Sequence, residues 1–98
     1  MDYKIHWLRS ATEDFRSIFL YYSTVGGERV AKKRLSKILQ ATSYLETMSY
    51  MGKQDDDLKK ISGYRYIVVM TYRIYYFVED DNVYIASIWD YRRDVKEV

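Results

Sequence analysis

The sequence predicts a single α+β domain, in which an N-terminal strand precedes an antiparallel helix hairpin packed on one face of a small, mainly antiparallel sheet. Apolar residues recur at helical spacing between residues 11 and 48, as on the buried side of a helix. They alternate with polar residues near the N-terminus and dominate residues 64–89, as in strands. The 98 residues are enough for one hydrophobic core, so residues 1–98 are assigned to one domain.

The first two predicted elements are a strand and a helix. Residues 3–8 alternate between apolar and polar side chains, which predicts a short strand. The segment from Ser10 to Glu13 resembles a capping box, so we expect Ser10 to be the N-cap of the first helix. The apolar stripe of this helix consists of Ala11, Phe15, Ile18, Phe19 and Tyr22.

A second, longer helix is predicted over residues 28–48, after a turn at Gly26 and Gly27. Two glycines end a helix readily because they tolerate positive φ. A short turn of this kind between two helices predicts an antiparallel hairpin. The apolar stripe of the second helix consists of Ala31, Leu35, Ile38, Leu39, Thr42, Leu45 and Met48.

The remainder of the chain is predicted to be a loop followed by three strands. Residues 49–63 are polar and contain two glycines, which indicates a loop with about one helical turn. The strands are expected at residues 64–69, 72–79 and 83–89, and residues 79–82 form a hairpin turn between the last two. The other turn, at Met70 and Thr71, lacks the Gly or Asn expected there.

These late strands are apolar on both faces. In strand 72–79, one face carries Tyr72, Ile74, Tyr76 and Val78. The other face, continued to the preceding residue, carries Thr71, Arg73, Tyr75 and Phe77. A sheet covered on one side by helices is usually polar on its far side. We therefore expect a partner chain, the C-terminal tail or a ligand to cover the second face. The expected core includes Trp7, Phe15, Ile18, Leu35, Ile38, Ile74 and Ile85.

Composition excludes several classes of protein. The chain has no cysteine, so it has neither a disulfide framework nor a Cys-based zinc site, and it fits a reducing cytoplasm. Its apolar runs are shorter than the ~20 residues that span a bilayer. The acidic run 55–57 lacks the spacing of a calcium loop. We predict a cytoplasmic protein with no metal and no cofactor.

Two charged features are candidates for function. Five basic residues lie close together on the second helix, where Arg29, Lys33 and Lys37 share one face. They form either a surface that binds an acidic partner or an ordinary solvated helix face. The one histidine, His6, lies on the first strand and is expected at an edge or on the surface.

The order of these elements resembles the RelE/ParE superfamily of bacterial type II toxins, which includes plasmid stabilisation proteins. The opening pattern I-x-W-x-x-x-A-x-x-D-F-x-x-I-x-x-Y is similar to the first strand and helix of the superfamily and comprises Ile5, Trp7, Ala11, Asp14, Phe15, Ile18 and Tyr21. Met51-Gly52 stands where members often have a Pro-x-x-Gly loop. Residues 72–76, Tyr-Arg-Ile-Tyr-Tyr, resemble the Y-R-x-x-Y strand, and residues 88–94 resemble the closing strand with its R-[DE] signature.

The resemblance implies a growth-inhibitory toxin that a cognate antitoxin neutralises. Members of the superfamily act in two ways. Some cut mRNA on the translating ribosome, and ParE-like members inhibit DNA gyrase without catalysis. The nucleases usually have a Tyr or His in the tail after the last arginine, whereas residues 95–98 here are Val-Lys-Glu-Val. The sequence therefore favours the ParE-like function. A ribosome-dependent endoribonuclease and a degenerate member kept as a binding module are the alternatives.

The resemblance also identifies candidate site residues. Arg73 and Arg93 match the superfamily's arginines, which contact the scissile phosphate in nuclease members, so they are catalytic if the chain is a nuclease. Cations expected to contact the target or a phosphate are Lys59, Lys60, Arg65 and Arg92. An antitoxin is expected to bind the aromatic face at Tyr75, Phe77 and Trp89. The assembly is expected to be a toxin homodimer or a toxin–antitoxin hetero-oligomer.

Overall fold

The computed structural model describes residues 2–54 and 63–91. In chain order the elements are β1 (Lys4–Trp7), α1 (Arg9–Gly26), α2 (Glu28–Ser43), a 3₁₀ turn (Tyr44–Glu46), β2 (Lys53–Gln54), β3 (Tyr64–Val69), β4 (Tyr72–Glu79) and β5 (Asn82–Asp90). The five strands form one sheet in the order β1-β5-β4-β3-β2. The predicted α+β fold is confirmed.

The sheet is antiparallel except at one edge, where β1 lies parallel to β5. The helix hairpin covers one side of the sheet, with α1 against β5 and α2 against β3. Gly27, at φ 87°, reverses the chain between the two helices. Neither helix in the described part of the chain is long and apolar enough to cross a membrane.

The core lies between the hairpin and the sheet. Its largest fully buried side chains are Tyr76, Ile38, Leu45, Ile74, Ile85 and Val83. Leu35 is buried as predicted, and Trp7, Phe15 and Ile18 are partly buried and pack against this cluster. The inward side of β4 is the predicted one, because Tyr72, Ile74 and Tyr76 are all buried.

The predicted capping box is wrong. Helix α1 begins two residues earlier than predicted, at Arg9, with Leu8 instead of Ser10 as its N-cap and no side-chain cap. The hydroxyl of Ser10 instead donates a hydrogen bond to the carbonyl oxygen of Ala86 on β5. The strand-to-helix junction is fixed by the backbone, since the Leu8 N–H donates to the Ile85 carbonyl at 2.9 Å and the Leu8 carbonyl accepts from the Thr12 N–H at 3.0 Å.

The second helix is shorter than predicted. It ends at Ser43 and continues as the 3₁₀ turn, so the 3.6-residue period fails after that point. Leu39 and Met48 were assigned to the buried stripe but are exposed. Leu39 lies beside the stripe at the border with solvent, and Met48 follows the end of the turn.

Two further differences lie in the second half of the chain. The predicted loop contains β2, which pairs with Tyr66 and Arg65 of β3. The β3–β4 turn is built without glycine, because Met70 itself adopts a positive φ of 56°. The β4–β5 turn is where it was predicted, with Asp80 at φ 56°.

Candidate functional site

The sheet side that faces away from the helices, called the outer face below, carries four of the five predicted site residues that lie in the described part of the chain. Across the strands it presents His6, Lys53, Tyr64, Tyr66, Val68, Arg73, Tyr75, Phe77, Tyr84, Ser87 and Trp89. Arg73, Tyr75, Phe77 and Trp89, predicted as site residues, are therefore brought together. Trp89 lies directly opposite Arg73 and is 50% exposed.

A β-bulge in β5 sets which residues of that strand reach the outer face. Tyr75 pairs with Ser87 while Tyr76 pairs with Ile85, so Ala86 is an extra residue in the ladder. Strict alternation would place Tyr84 and Trp89 on opposite sides, since they are an odd number of positions apart. The bulge shifts the alternation and brings both rings to the outer face.

Side chains of α1 hold this bulge. Besides the bond from Ser10 to the Ala86 carbonyl, the carboxylate Oδ2 of Asp14 accepts a hydrogen bond from the Ile88 backbone N–H at 2.9 Å. Both bonds satisfy backbone groups beside the irregular part of the ladder. The first turns of α1 thus fix the part of β5 that presents Trp89.

A row of four rings crosses the outer face from β1 to β3. The ring centroids of His6 and Tyr84 are 5.0 Å apart, those of Tyr84 and Phe77 5.0 Å, and those of Phe77 and Tyr64 5.4 Å. The first two pairs are stacked, with interplanar angles of 21°. Stacked rings standing side by side on a sheet turn their edges outward, so this row forms a ridge across the outer face.

Arg73 lies among aromatic rings at the other end of the outer face. Its guanidinium carbon is 4.7 Å from the centre of the Tyr66 ring and 5.9 Å from that of Tyr91. Its Nη1 lies 3.5 Å from the Tyr75 hydroxyl. Flat contact of a guanidinium with rings is a cation–π arrangement, and it fixes the side chain where an acidic or phosphate group can approach.

Arg65, the one other predicted cation in the described part of the chain, does not lie on the outer face. Arg65 is on the opposite side of β3 from the outer face, where its Nη1 donates to the Gly52 carbonyl at 2.9 Å and the guanidinium lies 5.0 Å from the Tyr50 ring centre. Lys59, Lys60, Arg92 and Arg93 lie outside the described residues.

Arg65 belongs to a cluster that closes one end of the core. The hydroxyl of the buried Tyr76 accepts a hydrogen bond from the Gly52 N–H at 2.8 Å. Burial raises the pKa of Tyr76, and the Gly52 N–H and the Arg65 guanidinium oppose that rise. A Cβ on Gly52 would lie 2.6 Å from the Tyr76 hydroxyl oxygen and 2.8 Å from the Tyr66 carbonyl oxygen, so only glycine fits there.

The histidine of the outer face, His6, lies far from Arg73. His6 is on the edge strand β1, stacked on Tyr84, and its Nε2 is 2.8 Å from the Asn82 Oδ1. Because Tyr84 pairs with Phe77, the histidine is four residues along the sheet from Arg73, about 13 Å by strand rise. His6 is exposed at an edge, as predicted.

Sequence reasoning missed most of the ring row and also Tyr66, whose ring lies against Arg73. Tyr64 and Tyr66 were in a predicted strand, and their alternation with Ile67 and Val69 could have placed them outward. Tyr84 could not be placed, since no sequence signal marks the bulge. Within residues 2–54 and 63–91, no group of three His, Asp or Glu side chains is placed to hold a metal ion.

Comparisons with known proteins agree with this geometry. Residues 5–95 match the family described as the ParE toxin of the type II toxin–antitoxin system, parDE. A solved structure described as the chromosomal ParDE TA system from P. aeruginosa superposes with a TM-score of 0.75. The two sequences are 19% identical, and the superposition covers 88% of this chain and 92% of the other chain. The likeness therefore shows a shared fold. No curated protein matches the sequence.

The family match spans almost the whole chain and includes the strand–hairpin–sheet region that builds the outer face. The chain therefore belongs to the ParE toxin family and is the toxin component of a type II toxin–antitoxin module, with a cognate antitoxin as its partner.

Proposed function

We propose that the chain arrests bacterial growth by binding DNA gyrase in the cytoplasm, without cutting RNA, and that its antitoxin silences it by covering the outer face. One observation carries the choice of gyrase. The superfamily's strand arginine, Arg73, has aromatic rings as neighbours, while the chain's one histidine is at the far end of the sheet.

RNA cleavage through a 2′-hydroxyl needs a base for that hydroxyl and an acid for the leaving oxygen, both near the cation that binds the phosphate. Histidine is the side chain whose ordinary pKa suits both roles near neutral pH. The rings around Arg73 belong to tyrosines, and the tyrosine side chain in general suits neither role near neutral pH. The arrangement therefore supports binding better than catalysis.

The antitoxin proposal rests on the apolar character of the outer face. Tyr75 and Phe77 are only partly buried, and Trp89 and Val68 are exposed. A patch of this kind is a typical protein-binding surface. An antitoxin helix or strand that covers it would bury the rings and could bring a carboxylate to Arg73. We propose that Arg73, Tyr75, Phe77 and Trp89 form this contact and that the assembly is a toxin–antitoxin hetero-oligomer.

The test uses induction of the chain in bacteria with and without its antitoxin. We expect growth arrest that the antitoxin reverses, and loss of supercoiling when purified toxin is added to gyrase and relaxed plasmid. The alternative is tested in the same cells by mapping mRNA 5′ ends. New ends inside translated codons with unimpaired gyrase would establish the nuclease and overturn the proposal. Normal growth with soluble toxin present would indicate a degenerate member.

A further inference from the structure

We infer that the solvent-facing side of α2 binds the phosphate backbone of duplex DNA. The helix carries five Lys or Arg side chains and one carboxylate, Glu28. That carboxylate forms an ion pair with Lys32 at 3.1 Å, at the first turn. The rest of the helix has no acid, so its positive charge is uncompensated along its own length.

Three of the cations form a row along one side of the helix. Arg29, Lys33 and Lys37 are all exposed and follow one another at intervals of four residues, which is about 6 Å along a helix. This basic row is distinct from Arg34, whose guanidinium lies 4.6 Å from the centre of the Tyr22 ring and donates to the Met70 Sδ at 3.9 Å. The helix therefore uses one arginine for packing and presents the row to solvent.

The other side chains on this side suit phosphate contact. Between and beyond the cations most exposed positions are polar, namely Lys32, Ser36, Gln40, Ser43 and Tyr44, and the exposed aliphatic side chains are Val30 and Leu39. Lys, Arg, Ser, Gln and Tyr are the side chains that commonly donate hydrogen bonds to phosphate oxygens. The helix spaces these donors at regular intervals, as the phosphates of duplex DNA are regularly spaced.

Two other partners fit less well. An acidic protein surface is normally held by a cluster of apolar anchors at the centre of the contact, whereas the exposed aliphatic side chains of α2, Val30 and Leu39, stand nine residues apart along the helix. Single-stranded nucleic acid is normally held by base stacking on aromatic rings, and here Tyr44 lies only at the end of the helix. The choice of DNA over duplex RNA rests on the proposed function, because gyrase acts on duplex DNA.

The experiment measures binding of the full chain to a fluorescent duplex DNA of about 20 base pairs by anisotropy, across a range of salt concentrations. We expect a dissociation constant between about 10⁻⁶ and 10⁻⁴ M that weakens steeply with salt. Lys33→Gln with Lys37→Gln should weaken binding on the order of tenfold at low salt. The slope of log K against log salt should become shallower by about 1.8, as expected for two lost phosphate contacts.

The matched control is Lys4→Gln with Lys53→Gln. It removes the same charge from two exposed lysines on the sheet and should leave both values nearly unchanged. If the two double variants weakened binding equally, the effect would come from net charge alone and the inference would be overturned. Tighter binding to an RNA duplex of the same length would overturn it as well.

A gyrase supercoiling assay on the same proteins separates this inference from the proposed function. DNA binding without gyrase inhibition would overturn gyrase as the target and leave the DNA surface standing. Gyrase inhibition without DNA binding would overturn the DNA surface. If inhibition then also depended on Lys33 and Lys37, the partner of α2 would be an acidic protein surface.

Discussion

The carboxylate of Asp14 on α1 accepts a hydrogen bond from the backbone N–H of Ile88 on β5 at 2.9 Å. This bond joins the helix hairpin to the bulged strand just before Trp89. We expect Asp14→Ala to lower the free energy of unfolding by about 1.5–3 kcal/mol, because a partly buried N–H loses a charged acceptor. Urea denaturation measures the change. Glu13→Ala, at the exposed neighbouring position, is the control, and an equal loss there would contradict the role of Asp14.

The buried Tyr76 hydroxyl should make the fold sensitive to alkali. Its pKa is raised by burial from the model-peptide value of 10.0, so the folded state retains the proton that the unfolded state loses. Its contribution to stability is complete below about pH 10 and is lost as the pH rises from there through the higher pKa of the folded state. Urea denaturation at intervals from pH 8 to 11 measures this loss.

Tyr76→Phe provides the comparison for this prediction. The variant should be less stable at pH 8, because the Gly52 N–H loses its acceptor. Its stability should fall less between pH 10 and 11 than that of the wild type. Parallel curves for the two proteins would show that another group carries the alkaline loss.

Two leucines on α2 should differ sharply when truncated. Leu35 is 6% exposed and Leu39, one turn later, is 48% exposed. Leu35→Ala should cost about 2–5 kcal/mol of unfolding free energy, as a core truncation does, and Leu39→Ala about 0.5 kcal/mol or less, as at an ordinary surface position. The pair is measured by chemical denaturation in one buffer. Similar costs at both positions would show that the orientation of α2 is wrong.

Binding of the antitoxin should depend on the rings of the outer face. Tyr75→Ala or Phe77→Ala should weaken the toxin–antitoxin complex by about tenfold or more, because aromatic anchors dominate interfaces. Lys33→Ala on α2 should have a smaller effect. Calorimetric titration of purified antitoxin gives the affinities, and circular dichroism checks that each variant is folded. A complex in which α2 mattered more than the rings would overturn the assignment of the outer face.

Toxicity should depend on Arg73. We expect Arg73→Ala to abolish growth arrest in cells that contain normal amounts of folded toxin. Arg73→Lys distinguishes the kind of contact, since a phosphate site that needs the planar guanidinium loses most activity and a screened surface contact loses little. Colony counts after induction give the readout. Full toxicity of an Arg73→Ala, Arg93→Ala double variant would show that neither arginine is needed.

Much of the fold could be predicted because it follows from local patterns. The alternation along β4 identified the two faces correctly, and the two glycines at the end of α1, Gly26 and Gly27, marked the hairpin. The features that could not be predicted depend on contacts distant in the chain. Ser10 has the sequence context of an N-cap, yet its hydroxyl bonds to Ala86, 76 positions away. Met70 adopts positive φ in a turn because the strands on both sides fix it, which no local propensity indicates.

The candidate site shows the same division. Arg73, Tyr75 and Phe77 could be grouped from sequence because they share one regular strand. Tyr84 could not be added, because the bulge that turns it outward is stabilised by side chains of α1. Arg65 is predicted to lie near the other cations. Its side chain is instead on the side of the sheet that faces the helices, because it pairs with the buried Tyr76.

The parallel pairing of β1 with β5 also governs when the toxin is complete during its synthesis. His6 and Asn82 are hydrogen-bonded across 76 positions of the chain, and Lys4 donates its backbone N–H to the Asp81 carbonyl. Strand β1 therefore has no partner in the sheet until β5 has emerged from the ribosome. Contacts of such long range form slowly. A nascent chain thus lacks its finished outer face until β5 has been made.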